Sequence, residues 1–339
     1  MIGAAVSSGV RFDEVAEAVY DWLTRDPSVA GRRRIVTFSC RPSVVRSSYL
    51  LHDIDVTFDA GEPLRLVAKG IGSAGLADDA RPAKPRFVAD DRRERVAYER
   101  LLPLLDAGAP KFYVAVIDEQ ATSHLILDRR PGVPLWQCGK GEAWHAAARQ
   151  LARLHVHAQA VGVQASAGAA TLLRYDASLF EEWRARAMRF ARGPAQEMGA
   201  IARAHAYATS RLLAQPCGVM HGEPYPSNVL IDDANGAPSV CLIDWQMMAL
   251  GPQILDLAHL VAGRWTDDQR AIIVDTYRAE QLALGATPSS CEHLLMTLDC
   301  GLMHLAVQNL GWSDAWSPPP QQAHDWRGEA LRLSRKCQP

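Results

Sequence analysis

The spacing of apolar residues in the first 130 positions predicts a helix followed by a small sheet. Over residues 11–25 apolar side chains recur every three or four positions, with Val15, Val19 and Leu23 on one stripe, so a helix is expected there. Apolar runs bounded by turn-forming residues then predict five strands, over 35–40, 48–58, 64–71, 112–117 and 123–128. A second helix is expected over 91–105, between the third and fourth strands. The N-terminal part should therefore be a five-stranded sheet with one helix inserted.

Beyond residue 130 the pattern becomes mainly helical. Helical spacing of apolar residues predicts five helices, over 141–158, 256–263, 267–284, 288–310 and 325–336. Two more helices are expected within 171–214, broken near Gly193-Pro194 because proline cannot continue a helix. Two short strand-like runs, 229–231 and 240–243, are joined by turn-forming residues and predict a hairpin. The chain as a whole is expected to have an α+β fold.

One eight-residue stretch carries the clearest chemistry. It reads His221-Gly222-Glu223-Pro224-Tyr225-Pro226-Ser227-Asn228, and the hairpin that follows ends on Asp244. Glu223 is suited to orient a hydroxyl and accept its proton, whereas Asn228 and Asp244 offer the hard oxygen ligands that Mg²⁺ on ATP phosphates prefers. A hairpin whose polar residues only form turns leaves the combination of His221, Glu223 and Asp244 unexplained. The stretch therefore predicts phosphoryl transfer with ATP and Mg²⁺ as cofactors.

This stretch resembles the catalytic signature of aminoglycoside-phosphotransferase-like kinases, which are small relatives of the protein kinases. Gly251-Pro252 and Asp256-Leu257-Ala258 also match that family's pattern, and the resemblance covers roughly residues 34–310. It implies a two-lobed, protein-kinase-like fold in which Asp256 caps a helix and braces the catalytic loop. One departure is that the family usually has aspartate where this chain has Glu223, which reaches one methylene further.

The resemblance also implies a division into two lobes. The N-lobe, expected over residues 1–130, would combine the antiparallel sheet and one helix and would bind the ATP phosphates. The C-lobe, expected over residues 131–339, would be mainly helical and would hold the catalytic loop and the acceptor site.

Two residues of the predicted N-lobe resemble the kinase pair that holds the ATP phosphates. Lys69 lies near the end of the third predicted strand, where kinases keep their phosphate-binding lysine, although a lone strand lysine is also common as an edge charge. Glu94 in the following helix would pair with Lys69, because Tyr98 sets the register of a family-like Glu-x-x-x-Tyr-x-x-Leu pattern. Glu99, one turn further on, is the rival for this role.

Two further segments are candidates for nucleotide contacts. The turn over 41–48 should lie at the phosphates. It contains no glycine, so it is not a flexible glycine-rich loop, and Ser47 and Ser48 would contact the phosphate oxygens instead. Hydroxyls are also common in turns without any function. The segment 127–132, with Asp128 and Arg130, resembles the kinase hinge, whose backbone takes the adenine edge.

A glycine pattern in the same region is a false signal for a dinucleotide site. Gly70-x-Gly72-x-x-Gly75 follows a predicted strand, as in a dinucleotide-binding fingerprint. That fingerprint requires a helix that begins at the third glycine, and the two prolines within 78–85 exclude one. We interpret the three glycines as a mobile connection between strand and helix.

Two histidines of the helix over 141–158 are not a metal site. His155 and His157 are two residues apart, so on a helix their side chains diverge by about 200°. The stretch over 151–155 resembles a family segment with a mainly structural role, and the two histidines are interpreted as core or surface residues.

Composition and charge narrow the partners and the compartment. A formal net charge of −2 argues against nucleic acid or an anionic membrane as partners. No run approaches the ~20 apolar residues that cross a bilayer, and the first ten residues lack the basic start of a secretory signal. Seven scattered cysteines without a Cys-x-x-Cys pair indicate reduced thiols in a cytoplasm. The oligomeric state stays open.

The acceptor is expected to be a hydroxyl-bearing small molecule such as a sugar, antibiotic or other metabolite. In the resembled family, residues 171–214 form part of the acceptor pocket, and here seven arginines against four carboxylates give them a net charge of +3. A polycationic aminoglycoside would be repelled by this charge. Two alternatives are a Ser/Thr kinase for a ribosomal peptide precursor and a nucleotide-binding pseudokinase scaffold. Residues 312–320 form either an arm over the acceptor cleft or a packed strap.

Overall fold

The fold is described from a computed structural model of the 339-residue chain. The structure describes residues 10–26, 33–45, 47–78, 80–81, 83–117, 123–234, 236–312 and 323–338. Contacts between Cα atoms group the chain into two compact units. One is formed within residues 1–82 and 110–130, and the other within residues 83–109 and 131–339.

The first unit is a five-stranded antiparallel sheet with one helix, as the sequence predicts. The strands are β1 (Ile35–Pro42), β2 (Leu51–Phe58), β3 (Leu64–Gly70), β4 (Phe112–Ile117) and β5 (Ser123–Asp128), in the spatial order β1-β2-β3-β5-β4. Helix α1 (Val10–Arg25) buries Val15, Val19 and Leu23 in a core with alternate residues of the strands, among them Ile54 and Leu66. Burying this stripe against the sheet is what makes a helix of this amphipathic pattern stable.

The three glycines after β3 form a packed turn. The Gly70 amide donates to the Leu50 carbonyl and the Leu50 amide donates to the Gly75 carbonyl, both at 2.9 Å. A Cβ on Gly75 would lie 2.5 Å from the Gly70 carbonyl carbon, so only glycine permits this approach. Residues 72–75 form a turn that leads to a bridge at Leu76, and no helix begins at Gly75. The rejection of a dinucleotide fingerprint is confirmed, whereas the mobility of this connection stays a prediction.

The helix expected over 91–105 is shorter and irregular. It begins as α2 (Arg93–Val96), continues as a π-helical turn (Ala97–Leu101) and ends as a 3₁₀ turn (Leu102–Leu104). Pro103 has no amide hydrogen, so the α-helical bonding pattern cannot continue through it. Although the expected N-lobe boundary at residue 130 includes this segment, its contacts group it with the second unit.

Helices dominate the second unit. They are α3 (Gly141–Ala160), α4 (Ala177–Phe190), α5 (Ala195–Leu213), α6 (Ile254–Leu260), α7 (Asp267–Ala283), α8 (Cys291–Leu310) and α9 (Trp326–Leu333). Each corresponds to a predicted helix, and the break between α4 and α5 falls at the expected Gly193-Pro194. Helix α8 is buried on most of its surface and lies against α4, α5, α6, α7 and α9, which makes it the centre of this core.

Two small sheets complete the second unit. The predicted hairpin forms from β9 (Val229–Asp232) and β10 (Ser239–Leu242), and β6 (Val133–Pro134) adds an edge strand to β9. The second sheet has the order β7-β11-β8, from β7 (Leu173–Arg174), β8 (Cys217–Met220) and β11 (Ala249–Pro252). The hairpin and the second sheet together hold the segment that contains the predicted catalytic stretch.

Two features of the described chain bear on the expected compartment. All seven cysteines are free thiols. Within the described residues, no helix combines the length and the apolar character that a membrane span needs.

Candidate active site

The β9-β10 hairpin brings the two predicted metal ligands to the same end. Asn228 directly precedes β9 and Asp244 follows β10 by two residues, while Val229 pairs with Leu242 in the antiparallel ladder. The Ile243 amide donates to the Asn228 carbonyl at 2.9 Å, which extends the pairing beyond the strands. The Asn228 side-chain amide donates to the Glu223 carbonyl at 2.9 Å. The structure therefore brings Asn228, Glu223 and the chain at Asp244 together.

Asp244 has a strained backbone conformation. With φ 67° and ψ 67° it is the one non-glycine residue of the described chain in the left-handed region. This conformation costs roughly 1–3 kcal/mol for a residue with a Cβ, and such strain persists only where surrounding contacts enforce it. The next residue supplies such contacts, because Trp245 is fully buried and its indole N–H donates to the Leu242 carbonyl at 2.9 Å.

His221 and Gly222 fix the entry into the loop. Gly222 has φ 93°, and a Cβ there would lie 2.0 Å from the Met247 carbonyl oxygen, so no other residue fits. His221 Nε2 donates to the Ile243 carbonyl at 3.0 Å, and Nδ1 accepts the Glu223 amide at 3.3 Å. A ring that donates from Nε2 and accepts at Nδ1 is the neutral Nε2–H tautomer. His221 thus joins the loop to the end of β10.

Asp256 supports the same loop through hydrogen bonds to its backbone, as the family resemblance implies. This fully buried carboxylate accepts the backbone N–H of His221 at 2.8 Å and that of Gly222 at 2.9 Å. It also accepts His155 Nε2 at 3.0 Å. Burial alone would raise the pKa of Asp256, but the His155 hydrogen bond, the nearby imidazoles and the Gly222 N–H together hold it below its ordinary value. Asp256 is therefore ionised at neutral pH.

His155 belongs to this support. Its Nδ1 lies 2.7 Å from the Tyr277 hydroxyl, which also accepts the Gln281 side-chain amide at 3.0 Å. The interpretation of His155 as a core residue is confirmed, since it is 1% exposed. What the sequence analysis missed is its contact with Asp256. The signal was available in the family-like stretch over 151–155, which places one polar residue on the buried face of α3.

Glu223, the predicted base, lies beside two tyrosines. Its side chain is 7% exposed. Burial is the main cause that raises the pKa of both Tyr175 and Tyr225, and the Glu223 charge raises the pKa of both hydroxyls further. The Glu223 carboxylate therefore lies within electrostatic range of both hydroxyls. Its role as a general base stays a prediction.

Of the two rival glutamates, Glu94 is the more buried. Glu94 is 4% exposed, and its charge, together with that of Asp244, adds to the burial that raises the pKa of Tyr98. Glu99 is instead hydrogen-bonded to Arg95 Nε at 2.7 Å on a more exposed face. The geometry of the second unit therefore favours Glu94 over Glu99, whereas the pairing of Glu94 with Lys69 stays a prediction.

Arg93 is a structural residue that the sequence analysis did not single out. It is 5% exposed, and its guanidinium donates to the backbone carbonyls of Val88 at 2.9 Å, Gln246 at 3.0 Å and Thr171 at 3.1 Å. Five guanidinium N–H groups make arginine suited to such a role. Arg93 thereby fastens α2 to the turn that follows Asp244.

Lys69 lies in the first unit, and its environment argues against the edge-charge alternative. Its strand β3 is the central strand of the sheet, and the side chain is 5% exposed. Its Nζ lies 5.1 Å from the centre of the Tyr49 ring. Burying a lysine in a central strand has a desolvation cost. A buried lysine at such a position therefore indicates a specific role, whereas an edge charge serves solubility. Phosphate binding by Lys69 stays a prediction with this added support.

The other predicted nucleotide residues make local contacts. Ser47 Oγ accepts the Tyr49 amide at 3.2 Å, and the Ser48 carbonyl accepts the Ala77 amide at 2.9 Å. Asp128 and Arg130 form an ion pair with each other at 3.4 Å. The Asp128 amide donates to the Lys111 carbonyl at 2.8 Å. A role for these four residues in nucleotide binding stays a prediction.

The donor set of the loop fits a magnesium ion. Among the described residues no cluster of three or more His, Cys, Asp or Glu side chains forms a closed metal site. Mg²⁺ in phosphoryl-transfer enzymes needs only one or two protein oxygens, because phosphates and water complete the octahedron. The Asp244 carboxylate and the Asn228 amide oxygen provide that number of hard ligands, at the end of one hairpin.

Known proteins resemble this chain in sequence family and in fold. The chain matches the family model "Phosphotransferase enzyme family" over residues 77–294. No curated protein matches the chain. A solved structure from Ralstonia eutropha JMP134, provisionally assigned as an aminoglycoside phosphotransferase, is 12% identical, has a TM-score of 0.64, and the match covers 95% of this chain and 99% of that one.

Two other solved structures share the fold at a similarly low sequence identity. A microcompartment-associated aminopropanol kinase is 14% identical with a TM-score of 0.59, covering 89% of this chain and 90% of that chain. The GDP complex of wild-type aminoglycoside 2′-phosphotransferase-IIIa is 12% identical with a TM-score of 0.59, covering 96% and 98%. The predicted two-lobed, protein-kinase-like α+β fold is confirmed. Because the family model spans well over half of its length, this chain belongs to the phosphotransferase enzyme family.

Proposed function

We propose that this protein is an ATP- and Mg²⁺-dependent O-phosphotransferase that moves the γ-phosphate to a hydroxyl of a small molecule. The observation that carries the proposal is the loop over 221–228, whose first two residues are held by Asp256. Asp256 fixes the backbone at His221 and Gly222, and the following residue, Glu223, is a nearly buried carboxylate whose charge acts on two buried tyrosine hydroxyls. A carboxylate held in this way is suited to orient a hydroxyl and to accept its proton during transfer.

The remaining roles follow from the chemistry of the side chains. Asn228 and Asp244 would hold Mg²⁺, which when bound neutralises charge on the phosphate oxygens. Lys69 would contact the same phosphates as a cation, with Glu94 as its orienting partner. The GDP complex of a protein with this fold supports nucleotide use. The name of the aminopropanol kinase supports a small hydroxyl-bearing acceptor. Seven free thiols support a reducing compartment such as the cytoplasm.

The test is transfer of labelled γ-phosphate from ATP to a panel of small hydroxyl compounds, with and without EDTA. Asp244→Asn removes the charge but keeps the size and the tolerance for a left-handed backbone. Transfer should fall by at least about 10²-fold in this variant, as for loss of a group that stabilises the transition state. The control is Asp233→Asn, in the exposed turn of the same hairpin, where the carboxylate only pairs with Lys140. Equal activity in both variants would refute the metal assignment.

The two alternatives give different outcomes in the same assay. A peptide kinase would phosphorylate Ser or Thr of a peptide panel and none of the small molecules. A pseudokinase would bind Mg-ATP without transferring phosphate to either panel, and Glu223→Asp would then restore the residue that is usual in the family.

A further inference from the structure

A group of buried polar atoms around His304 has no use in the proposed chemistry. The polar atoms in question are the Tyr175 hydroxyl, His304 Nε2, His205 Nδ1 and both amide atoms of Gln308. None of them has a hydrogen-bond partner among the residues that the structure describes. Since buried polar groups in folded proteins nearly always have partners, this many together indicates that a molecule outside the chain satisfies them.

These side chains form one continuous cluster. The ring centres of Tyr175 and His304 are 5.8 Å apart, and His205 Nε2 lies 3.1 Å from His304 Nδ1. Gln308 follows His304 by one turn of α8, so both project from the same face of the helix. The Glu223 charge acts on Tyr175, which joins the cluster to the predicted base. We call Tyr175, His205, His304 and Gln308 the polar cluster.

All of these side chains are nearly closed to solvent. Exposed fractions are 7% at Glu223, 5% at Tyr175, 1% at Gln308 and 0% at His304. A molecule held between Glu223 and the cluster would keep one group at the carboxylate and place the rest of its polar atoms in the cluster.

The charges around the cluster select an uncharged molecule. Burial lowers the pKa of His205 to about 4 and the pKa of His304 well below its ordinary value, so both rings are neutral at pH 7. A neutral imidazole both donates and accepts, as does an amide side chain, and this matches hydroxyl and carbonyl groups.

The nearby carboxylates also argue against a cation. Three described carboxylates influence these tyrosines and histidines: Asp256, Glu181 and Glu223. Asp256 accepts from His155 and the loop N–H groups, and Glu181 accepts from Arg184 at 2.5 and 2.8 Å. Recognition of a polycation needs several carboxylates, and these two are already engaged by the groups just named.

We propose that the polar cluster binds the acceptor, and that the acceptor is an uncharged molecule with several hydroxyl or carbonyl oxygens. The inference rests on the proposed function only in calling the bound molecule an acceptor. Tyr175, His304 and Gln308 would donate to and accept from its oxygens and present one further hydroxyl to Glu223. A cationic amino alcohol or aminoglycoside would bring ammonium groups for which the polar cluster has no carboxylate, so we expect these molecules not to bind.

The test compares two sets of probes on the full chain. The uncharged set is myo-inositol, glucose and uridine, and the cationic set is kanamycin, choline and 1-amino-2-propanol. Binding is measured by calorimetry without nucleotide, and transfer from ATP is measured separately as kcat and KM. At least one uncharged probe should bind and be phosphorylated, and the cationic probes should not. Preferential binding of a cationic probe, or no binding by any uncharged probe, would overturn the inference.

Two variants test whether the uncharged probe binds in the polar cluster. Tyr175→Phe and Gln308→Leu each remove unpartnered polar atoms with little change in volume. Each should raise KM and the dissociation constant of the uncharged probe by about 5- to 10-fold, with kcat within about twofold, because the net worth of such a hydrogen bond is of this size. The matched controls are Tyr207→Phe, on the same helix as His205 but outside the cluster, and His145→Gln, whose ring bonds Thr276.

The outcomes separate this inference from the proposed function. If Tyr175→Phe and Gln308→Leu bind the probe as tightly as wild type, the cluster holds ordered water only and the inference is wrong. If the variants lose binding in calorimetry while wild type shows no transfer from ATP to any bound probe, the binding site stands and the proposed function fails. Because both substitutions remove buried, unpaired polar atoms, a melting temperature at or above that of wild type is expected and excludes misfolding as the cause.

Discussion

His155 Nε2 lies 3.0 Å from the Asp256 carboxylate, and both side chains are completely shielded from solvent. Through Asp256 this contact reaches the backbone of His221 and Gly222, and thus the loop that carries Glu223. The two residues are 101 positions apart in the sequence. A helix of the second unit is thereby tied to the loop through a single carboxylate.

His155→Ala should impair both stability and turnover. Removing this partner leaves the buried carboxylate with fewer hydrogen bonds, while the two loop N–H groups still donate to it, so a loss of roughly 1–3 kcal/mol is expected. The turnover number should fall by about tenfold, because the loop that carries Glu223 shifts. Urea unfolding and steady-state kinetics measure these effects.

The conservative variant separates positioning from simple packing. His155→Gln keeps a side-chain N–H that can reach Asp256, so it should recover part of the turnover number. If His155→Ala loses stability without any change in the turnover number, His155 is only a core residue.

Gly222→Ala should be far more harmful than another glycine substitution at positive φ. Its Cβ would meet the Met247 carbonyl oxygen at 2.0 Å, in addition to the strain at φ 93°. A loss of at least about 3 kcal/mol and of most activity is expected. Gly162→Ala is the control, because Gly162 has φ 66° but open space around its Cβ, so only about 1 kcal/mol of strain applies. Similar melting temperatures for the two variants would contradict the role of the close approach.

Much of the fold could be predicted because it follows from local patterns. The stripe of α1, the alternation in β2 and the proline break before α5 each depend on residues close in sequence. The short strands β6, β7, β8 and β11 were not predicted, because they pair with strands that are distant in the sequence. The π-helical turn after α2 was also not predicted, since it depends on how the segment packs and not on its composition.

Lys69→Met should impair catalysis more than stability. The substitution keeps the length of the side chain and deletes its charge. The protein should remain folded in a thermal melt, while kcat/KM for ATP should fall by about 10²-fold or more. Arg65→Met, at an exposed position of the same strand, is the control. Unchanged kcat/KM in Lys69→Met would contradict phosphate binding by Lys69.

The stability of the fold should fall as the pH drops from about 6.5 to about 4. Burial lowers the pKa of His205 and of His259 to about 4 from an ordinary value of 6.5. Between these values the unfolded chain binds protons that the folded chain does not, so stability rises with pH and is lost on acidification. Each of these histidines contributes roughly 3 kcal/mol to this loss.

Urea unfolding across this pH range checks the slope. His205→Gln removes one of these groups and should make the pH dependence shallower, with little change at pH 7 beyond the loss of the packing contacts of His205. A free energy of unfolding that is flat between pH 6.5 and pH 4 would contradict the burial of neutral imidazoles.

The site itself was predictable only where its residues are close in sequence. Glu223, Asn228 and Asp244 could be assigned because a loop and a hairpin hold them within about two dozen positions. The polar cluster combines Tyr175 before α4 with residues of α5 and α8, and no local pattern joins them. His304 and Gln308 have the spacing of core positions on an apolar helix, so their missing partners are visible only in the folded chain.

The central claim is that Glu223 takes the proton of the acceptor hydroxyl, and phosphate transfer by Glu223→Gln tests it most directly. A positioned general base contributes about 10²–10⁴-fold in rate, so the turnover number should fall by that factor. The affinity for Mg-ATP should stay within about twofold, because the group faces the acceptor. Glu223→Asp should also be impaired, since ~1 Å of misplacement costs about 10²-fold. A Glu223→Gln protein that transfers phosphate at the wild-type rate would contradict the claim.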